Sequence, residues 1–237
     1  MLCVSSINLT TDHLLGESPF DHETAFTPLA ILYTEYLAFL ARSDSRVDSG
    51  AALLERLGAD ARSLTVALSI ALGNPNHIAL ARVIRHAGGD VTAPRIRVFD
   101  SALDAVGDVM AGNADVAVVT AVSAVKELGS GAMRALALSA PQRAAGLYAH
   151  APAWVELGGD CVIGSWRVVT GARGITSEQR AYWEGVLAAA AATREWAGEL
   201  ERYYWTPMYL DGLRLREHLA HERAELADVL KDLGLLT

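Results

Sequence analysis

Lysine is almost absent from this chain, which has only Lys126 and Lys231, and its other basic residues are scattered arginines. The formal net charge at pH 7 is −8. Proteins whose main partner is nucleic acid usually carry clustered positive charge, often interleaved with aromatic residues. No such cluster is present, so the sequence predicts no nucleic-acid partner.

Cysteine is rare as well. Cys3 and Cys161 lie far apart without metal-ligand spacing, so we expect two small buried hydrophobic residues, and whether they pair stays open. No apolar run reaches the length of a membrane span. The first residues, 1–13, have neither the basic region nor the long apolar region of a secretion signal, which predicts a cytoplasmic chain if Met1 is the true start.

Motifs of the common enzyme classes are also missing. The sequence has no G-x-S-x-G turn, no H-E-x-x-H pair and no Walker A loop, and its seven histidines are not spaced as metal ligands. We therefore predict no cofactor, no metal and no catalytic residue. His77 or Asp100 could act as a base, but a residue at a helix start and a capping carboxylate are the simpler interpretations.

Hydrophobic residues make up 51% of the chain and charged residues 20%, which is enough for a well-buried core. Short apolar segments alternate with segments of helical periodicity, and this alternation predicts parallel βαβ units and an α/β fold. The predicted strands are 2–6, 29–42, 63–69, 95–99, 114–120, 133–139 and 161–171, and the predicted helices are 50–59, 74–89, 101–112, 121–131, 175–204 and 213–235.

Three segments lie where predicted strands end, and ligands of α/β folds bind beyond the carboxyl ends of strands. The first is Ser69–His77, where Gly73 would let a ligand approach, Asn74 would cap the helix and Pro75 suits its first turn. Its free N–H groups, including those of Asn76 and His77, would face an anion. Simple helix capping is the alternative interpretation.

The other two segments continue the pattern. At Phe99-Asp100-Ser101 an aromatic residue ends a strand and a cap-forming pair follows, and at Thr120–Ser123 hydroxyl groups follow the next strand. Parallel strands place their ends on one edge of a sheet, so we expect the three segments to line one pocket. Capping alone is again the alternative for each.

Seven segments in this order resemble the substrate-binding receptors of tripartite tricarboxylate transporters, the Bug family. The resemblance covers nearly the whole chain, and the segments are FDHETAFTPLAILYTEYL, SLTVALSIALGNPNHIALA, RVFDSALDAVGDVMAGNADVAV, MRALALS, GSWRVVTGARGITSEQR, WTPMYLDGLRLREHL and DLGLL.

The resemblance implies an α/β fold of the periplasmic-binding-protein type II kind, with two lobes of parallel-rich sheets flanked by helices. Residues 1–35 and 165–237 would form lobe 1, which lacks the family's usual N-terminal segment and is incomplete, and residues 36–164 would form lobe 2. It also implies a small carboxylate ligand, such as a di- or tricarboxylate or a related organic acid. Delivery to membrane permease subunits and a periplasmic location are implied too.

Two positions depart from the family pattern. The family's glycine-serine pair becomes Gly73-Asn74, and its lysine-containing loop becomes Phe99-Asp100-Ser101. An aspartate in place of that lysine should weaken a second carboxylate or recruit an ammonium group.

Carried over by position, the resemblance implies ligand-binding residues in both lobes. Arg167 would pair with a carboxylate through two hydrogen bonds, with a surface ion pair as the alternative, and Trp166 could equally serve packing between lobes. The implied set is Ser5, Ser6, Asn8, Ser69, Gly73, Asn74, His77, Phe99, Asp100, Ser101, Thr120, Trp166 and Arg167.

Two other functions stay open. The chain could be an α/β enzyme acting on a small organic acid with Asp100 or His77 as base, or a truncated relative that binds nothing. The receptor is favoured because no set of nucleophile, base and orienting group is visible.

Overall fold

The computed structural model describes residues 1–236, and they form two compact units. Unit 1 contains Met1–Glu35, Ser165–Lys231 and Leu236, and unit 2 contains Tyr36–Gly164 and Asp232–Leu235. The strands are β1 (Leu2–Ser6), β2 (Phe26–Arg42), β3 (Thr65–Ser69), β4 (Arg95–Phe99), β5 (Val116–Thr120), β6 (Met133–Leu138), β7 (Gly164–Ala172) and β8 (Thr206–Asp211).

Nine α-helices are present among these residues, together with short 3-10 turns. They are α1 (Ile7–Leu14), α2 (His22–Ala25), α3 (Gly50–Asp60), α4 (Pro75–His86), α5 (Ala102–Met110), α6 (Val125–Gly129), α7 (Ser177–Ala191), α8 (Arg194–Arg202) and α9 (Gly212–Asp232). The 3-10 segment Ala121–Ala124 precedes α6, so the single helix predicted at 121–131 is two shorter pieces.

The sheet of unit 2 is built around β3. This strand pairs in parallel with β4 on one side and with β5 on the other, as the alternating pattern predicts. The second half of β2 pairs antiparallel with both β5 and β6, so β6 does not extend the parallel series that we expected. Val66, Ala67 and Leu68 are fully buried, which explains why β3 is an unbroken apolar run.

The core of unit 2 is closed by large side chains from outside the parallel strands. Phe39 of β2 meets Trp154 edge to face, with ring centroids 4.9 Å apart, and both are fully buried. Helix α4 is buried from Pro75 to Ile84, and only its last turn reaches the surface. This burial fixes the position of the first turn of α4, which matters for the site below.

In unit 1, β1 pairs antiparallel with β7, and the first half of β2 pairs antiparallel with β8. Two expectations for this region are wrong. Strand β1 is not buried, because Val4 is 64% exposed and Cys3 is an exposed free cysteine, whereas Cys161 is free and buried as expected. The sequence pattern also did not indicate β8 or α1.

The long helices of unit 1 lie where the sequence predicted helix, but the single helix predicted at 175–204 is two helices, α7 and α8, with a break at residues 192–193. Helix α7 begins at the capping box that its sequence indicated, where the Gln179 N–H donates to Thr176 Oγ1 (3.2 Å) and the Thr176 N–H donates to Gln179 Oε1 (3.0 Å). Helix α9 buries Leu215, Leu219 and Leu226, which is the spacing of an amphipathic helix on a core.

Candidate functional site

One edge of the unit 2 sheet collects the carboxyl ends of its strands. Ser69 of β3 is in register with Phe99 of β4. On the other side of β3, Leu68 is in register with Val118 of β5, so β5 ends at Thr120 on the same edge. The three segments singled out in the sequence therefore follow neighbouring strands at one edge, where ligands of α/β folds bind.

The segment after β3 is held by a buried network of neutral groups. Asn74 Nδ2 donates to the Ser69 carbonyl (2.6 Å), and Asn76 Nδ2 donates to Ser69 Oγ (2.9 Å). Asn74 Oδ1 accepts from the His77 N–H (3.1 Å), which makes Asn74 the N-cap of α4, as predicted. All four side chains are at most 7% exposed, so the network is fixed before any ligand arrives.

Gly73 has a conformational reason to be glycine. Its φ is +77°, a left-handed value that residues with a Cβ adopt at a cost. The Gly73 N–H donates to His77 Nδ1 (3.0 Å). Ligand approach, the reason that the sequence suggested for this glycine, stays a prediction, and the turn conformation is an independent reason.

Fewer free amides are present at the start of α4 than we predicted. The N–H groups of Gly73 and His77 are both engaged within the loop, and Pro75 has none. Among the described residues 73–77, the structure gives no partner for the N–H groups of Asn74 and Asn76. A ligand anion would therefore meet those two amides, the Ser69 hydroxyl and the His77 ring.

His77 is held as a neutral donor. Burial lowers the pKa of its imidazole to about 4. Since a backbone N–H can only donate, the Gly73 contact requires an unprotonated Nδ1, and the proton of the neutral ring then lies on Nε2. In this state neither nitrogen is free to accept a proton from a substrate, so the arrangement suits ligand binding better than general-base catalysis.

The segments after β4 and β5 add hydroxyl groups and one carboxylate. Ser101, not Asp100, caps α5: its Oγ accepts from the Asp104 N–H (3.1 Å) and donates to Asp104 Oδ2 (2.7 Å). The capping role we expected for Asp100 is therefore wrong, and Asp100 is exposed. Thr120 Oγ1 and Ser123 Oγ form a hydrogen bond of 2.9 Å.

Phe99 is half-buried at the end of β4, with the Arg97 guanidinium carbon 5.7 Å from its ring centroid. Arg97 itself is engaged by Asp108 through two hydrogen bonds of 2.7 and 3.0 Å. The nearest arginine on β4 is therefore already paired with a carboxylate of its own unit.

The serines predicted for lobe 1 lie in unit 1, where they make local contacts. Ser5 Oγ is 3.4 Å from His22 Nδ1, and the Ser6 carbonyl accepts from His22 Nε2 (3.1 Å). Ser6 also caps α1 by accepting from the Asn8 N–H (3.4 Å). Burial lowers the pKa of His22, and these contacts hold its ring against β1.

Trp166 and Arg167 are also engaged within unit 1. Trp166 is 1% exposed, its Nε1 donates to Glu222, and its ring centroid lies 5.3 Å from that of His22. Arg167 Nη2 donates to Glu35 (2.7 Å) and its Nη1 donates to Ser165 Oγ (2.6 Å). The ion pair that we gave as the alternative for Arg167 is present, with Glu35 as its partner; ligand contact by either residue stays a prediction.

Sequence reasoning missed three residues that the structure makes prominent. The sequence analysis considered the backbone N–H of Asn76 but not its side chain, although an asparagine two positions after the cap could have indicated a side-chain hydrogen bond at the start of the helix. Ile70 has φ +77°, and nothing in the sequence indicates a left-handed isoleucine. Glu35 lies inside a long apolar strand, where a lone carboxylate could have indicated a buried ion pair.

An open depression of about 720 Å³ lies beside this edge, between α5 and the 3-10 segment that follows β5. Its lining is mainly apolar: Leu103, Val106, Gly107, Met110, Val122, Ser123, Val125, Lys126 and Glu127. Within residues 1–236 no cluster of His, Cys, Asp and Glu could hold a metal ion. Across the same described span, none of the helices combines the length and apolar character needed to cross a membrane.

No protein-family model matches the chain, and no curated relative does. Solved structures do match. A TctC solute-binding protein from Polaromonas is 21% identical with a TM-score of 0.78, and the match covers 98% of this chain and 78% of that one. A protein from R. palustris determined with adipate is 20% identical with a TM-score of 0.84, covering 98% and 77% of the two chains.

MatC from Rhodopseudomonas palustris, determined with bound malate, is 20% identical with a TM-score of 0.70, and the match covers 97% of this chain and 78% of that one. The resemblance inferred from the sequence is thus confirmed at the level of the fold. The chain has the α/β fold of the periplasmic-binding-protein type II kind found in these solute-binding proteins.

Proposed function

We propose that this chain is a solute-binding receptor that captures a small carboxylate and delivers it to the permease subunits of a tripartite tricarboxylate-type transporter. Units 1 and 2 would be its two lobes, and its place of action would be the periplasm. The observation that carries the proposal is the edge of unit 2: fixed, uncharged donors lie at the strand ends of a fold shared with solute-binding proteins, two of them determined with adipate and malate.

The chemistry of these donors supports carboxylate binding. Hydrogen bonds from neutral donors to a charged group contribute on the order of 1.5–3 kcal/mol each, and a helix N-terminus adds about 0.3–1 kcal/mol for a nearby anion. The Ser69 hydroxyl, the Asn76 amide and the His77 ring stand at the start of α4. Together they would hold a carboxylate at micromolar affinity despite the net charge of −8, because distant charges are screened.

The same geometry disfavours an enzyme. His77 accepts the Gly73 N–H and is kept neutral by burial, and Asp100 has no histidine or hydroxyl partner among residues 1–236. We therefore expect a ligand to leave the protein unchanged. The remaining predicted ligand residues belong to this proposal as candidates to be tested one by one.

The test is calorimetric titration of the purified chain with acetate, succinate, malate, adipate and citrate near neutral pH, with the recovered ligand identified by mass spectrometry. We expect saturable binding of at least one acid and recovery of the same acid. A folded protein that binds none of them at millimolar concentration, or one that returns a product, would overturn the proposal.

A matched pair of variants locates the site. Asn76→Leu removes a buried amide at the strand-end edge, and Asn113→Leu makes the same change at an exposed position of unit 2. We expect Asn76→Leu to weaken binding about tenfold or more, the loss expected when a charged ligand loses one hydrogen bond. Asn113→Leu should bind like the wild type. Uptake by proteoliposomes holding a permease of this type, with and without the chain, tests delivery.

A further inference from the structure

The three strand-end segments of unit 2 carry very little charge. In these segments, residues 69–77, 99–101 and 120–123, the ionisable side chains are His77 and Asp100, and Asp100 is exposed. His77 is neutral, since burial lowers its pKa to about 4. This edge therefore offers hydrogen-bond donors for one carboxylate and, for a second one, a negative charge.

The same segments expose apolar side chains. Ile70 is 57% exposed and Leu72 is 43% exposed, and the half-buried Phe99 ends the neighbouring strand. The Ile70 N–H donates to the Phe99 carbonyl (2.7 Å), so this apolar group spans the ends of β3 and β4. It stands next to the buried Ser69 and Asn76 that would receive the carboxylate.

Ile70 adopts a conformation that its side chain disfavours. A φ of +77° is a genuine outlier for a β-branched residue, and such strain persists at ligand sites when the surroundings hold it in place. A glycine or asparagine would satisfy the turn without strain. Keeping an isoleucine here places a large apolar group in solvent, at the edge where a ligand would bind.

Resting on the proposed function, we infer that the preferred ligand is a monocarboxylate with an apolar chain or ring rather than a di- or tricarboxylate. Its carboxylate is held by Ser69, Asn76 and the His77 ring, and its apolar body covers Ile70 and Leu72. Asp100 disfavours a second carboxylate at the far end of the ligand.

Three acids with the same six-carbon chain test this inference: hexanoate, adipate and 6-aminohexanoate. We expect hexanoate to bind at least about tenfold more tightly than adipate, which is the scale of one like-charge repulsion near a protein surface. It should also bind more tightly than 6-aminohexanoate, because the ammonium group would lose water against Ile70 and Leu72. This cost exceeds its attraction to Asp100, since an ion pair at an exposed side chain contributes little. Tighter binding of adipate or of 6-aminohexanoate would overturn the inference and leave the proposed function standing.

Variants separate the two parts of the argument. Asp100→Asn should lower the hexanoate-to-adipate affinity ratio at least about fivefold by removing the repulsion. Ile70→Thr keeps a β-branched residue in the strained turn but replaces a methylene-bearing group by a hydroxyl, and it should weaken hexanoate binding about tenfold. An unchanged ratio in the first variant, or unchanged hexanoate affinity in the second, would overturn the inference.

Leu103→Thr is the control for Ile70→Thr, because Leu103 is 68% exposed and lies in the neighbouring depression. We expect it to bind hexanoate like the wild type. Loss of binding with Leu103→Thr but not with Ile70→Thr would place the ligand beside α5 and overturn the assignment. If the protein bound none of these three acids and none of the acids in the calorimetric panel, the proposed function itself would be overturned.

Discussion

Unit 1 and the strand-end edge of unit 2 both bury polar side chains, but those of unit 1 include charged pairs and those of the edge are neutral. In unit 1, Glu35 is paired with Arg167 and Asp21 with Arg223. At the edge of unit 2, Ser69, Asn74 and Asn76 are uncharged, and His77 is kept neutral. A charge that already has a partner stabilises the fold, whereas a neutral donor with capacity to spare can serve an incoming anion.

This contrast shows that the type of a residue does not by itself determine whether it can bind a ligand. Arg167 was predicted as a ligand contact because a guanidinium matches a carboxylate well, yet its nitrogens are bonded to Glu35 and Ser165. Asn76 carries no charge and was not chosen, yet it is buried at the strand ends with an amide to offer. Whether a side chain can bind a ligand therefore depends more on whether its donor is free, which tertiary contacts determine, than on its formal charge.

The largest effect should come from breaking a charged pair in unit 1. Glu35→Leu leaves Arg167 without its carboxylate and Trp205 Nε1 without the acceptor it reaches at 2.7 Å. Because an uncompensated, largely buried charge is costly, we expect the free energy of unfolding to fall by about 3–5 kcal/mol. Urea denaturation followed by tryptophan fluorescence measures it.

The matched change at the edge of unit 2 is Asn76→Leu, which should cost only about 1 kcal/mol because no charge is stranded. Glu35→Gln is the control in unit 1, since it keeps an acceptor for Trp205. If Glu35→Leu and Asn76→Leu destabilised the protein equally, the contrast between the two regions would have no energetic basis.

The next effect is a pH dependence from His77. Its folded-state pKa of about 4 lies below the value of about 6.5 expected in the unfolded chain, so the native state binds fewer protons. The contribution of neutral His77 to the free energy of unfolding is therefore fully present above pH 6.5. It is lost as the pH falls towards 4, and the total loss is about 3 kcal/mol. Unfolding free energies of the wild type and His77→Gln across this range measure it.

His77→Gln should remove most of that slope between pH 6.5 and 4. Burial lowers the pKa of His22 and of His218 as well, so His22→Gln and His218→Gln report the share of these two histidines of unit 1. A wild-type curve that is flat over this interval would mean that the His77 ring is not held neutral, and the description of the edge as uncharged would then be wrong.

The fold was largely predictable because its determinants are local. The apolar run of β3, the cap at Asn74 and the capping box at Thr176 are all visible in short stretches of sequence, and each is present in the structure. Strand β8 was missed because it pairs with β2 from far along the chain, and its own residues include a proline. Pairing between distant segments is hard to predict from the sequence of either segment alone.

The candidate site was predictable in position but not in detail. The strand ends could be located from the alternation of strands and helices, and their register brings Ser69 and Phe99 together. The engaged N–H of Gly73 could not be foreseen, since it depends on the His77 ring nitrogen turned back onto the loop. The His77 N–H is engaged by Asn74, the cap that the sequence did predict. Which residues hold a ligand stays a prediction.

A smaller change in stability should come from Asn74, the cap of α4, whose side chain makes one hydrogen bond through Oδ1 and another through Nδ2. Asn74→Ala removes the cap and the bond from Nδ2 to the Ser69 carbonyl, and we expect a loss of about 1–2 kcal/mol in stability. Asn74→Asp keeps the capping oxygen but replaces Nδ2 by a charged oxygen that would face the Ser69 carbonyl, which Nδ2 reaches at 2.6 Å. Thermal denaturation of the two variants compares them.

Asn74→Asp also adds a charge to the edge, which sharpens the comparison with unit 1. The new carboxylate would repel a ligand carboxylate at the start of α4, so we expect ligand affinity to fall further in Asn74→Asp than in Asn74→Ala. The reverse order of affinities would contradict the idea that this edge must stay uncharged.

The smallest change in stability, and the one of opposite sign, should come from Ile70→Gly. Left-handed backbone costs a residue with a Cβ about 1–2 kcal/mol, and Ile70 bears that cost at φ +77° while 57% exposed. Glycine relieves the strain but adds freedom to the unfolded chain, so we expect a net gain of about 0.5–1 kcal/mol. The same substitution removes the apolar group proposed to contact the ligand, and hexanoate affinity should fall as stability rises. Differential scanning calorimetry and titration of the same sample measure both. If Ile70 had no part in binding, Ile70→Gly would leave hexanoate affinity unchanged. A higher melting temperature with unchanged affinity would therefore contradict the ligand contact proposed for Ile70.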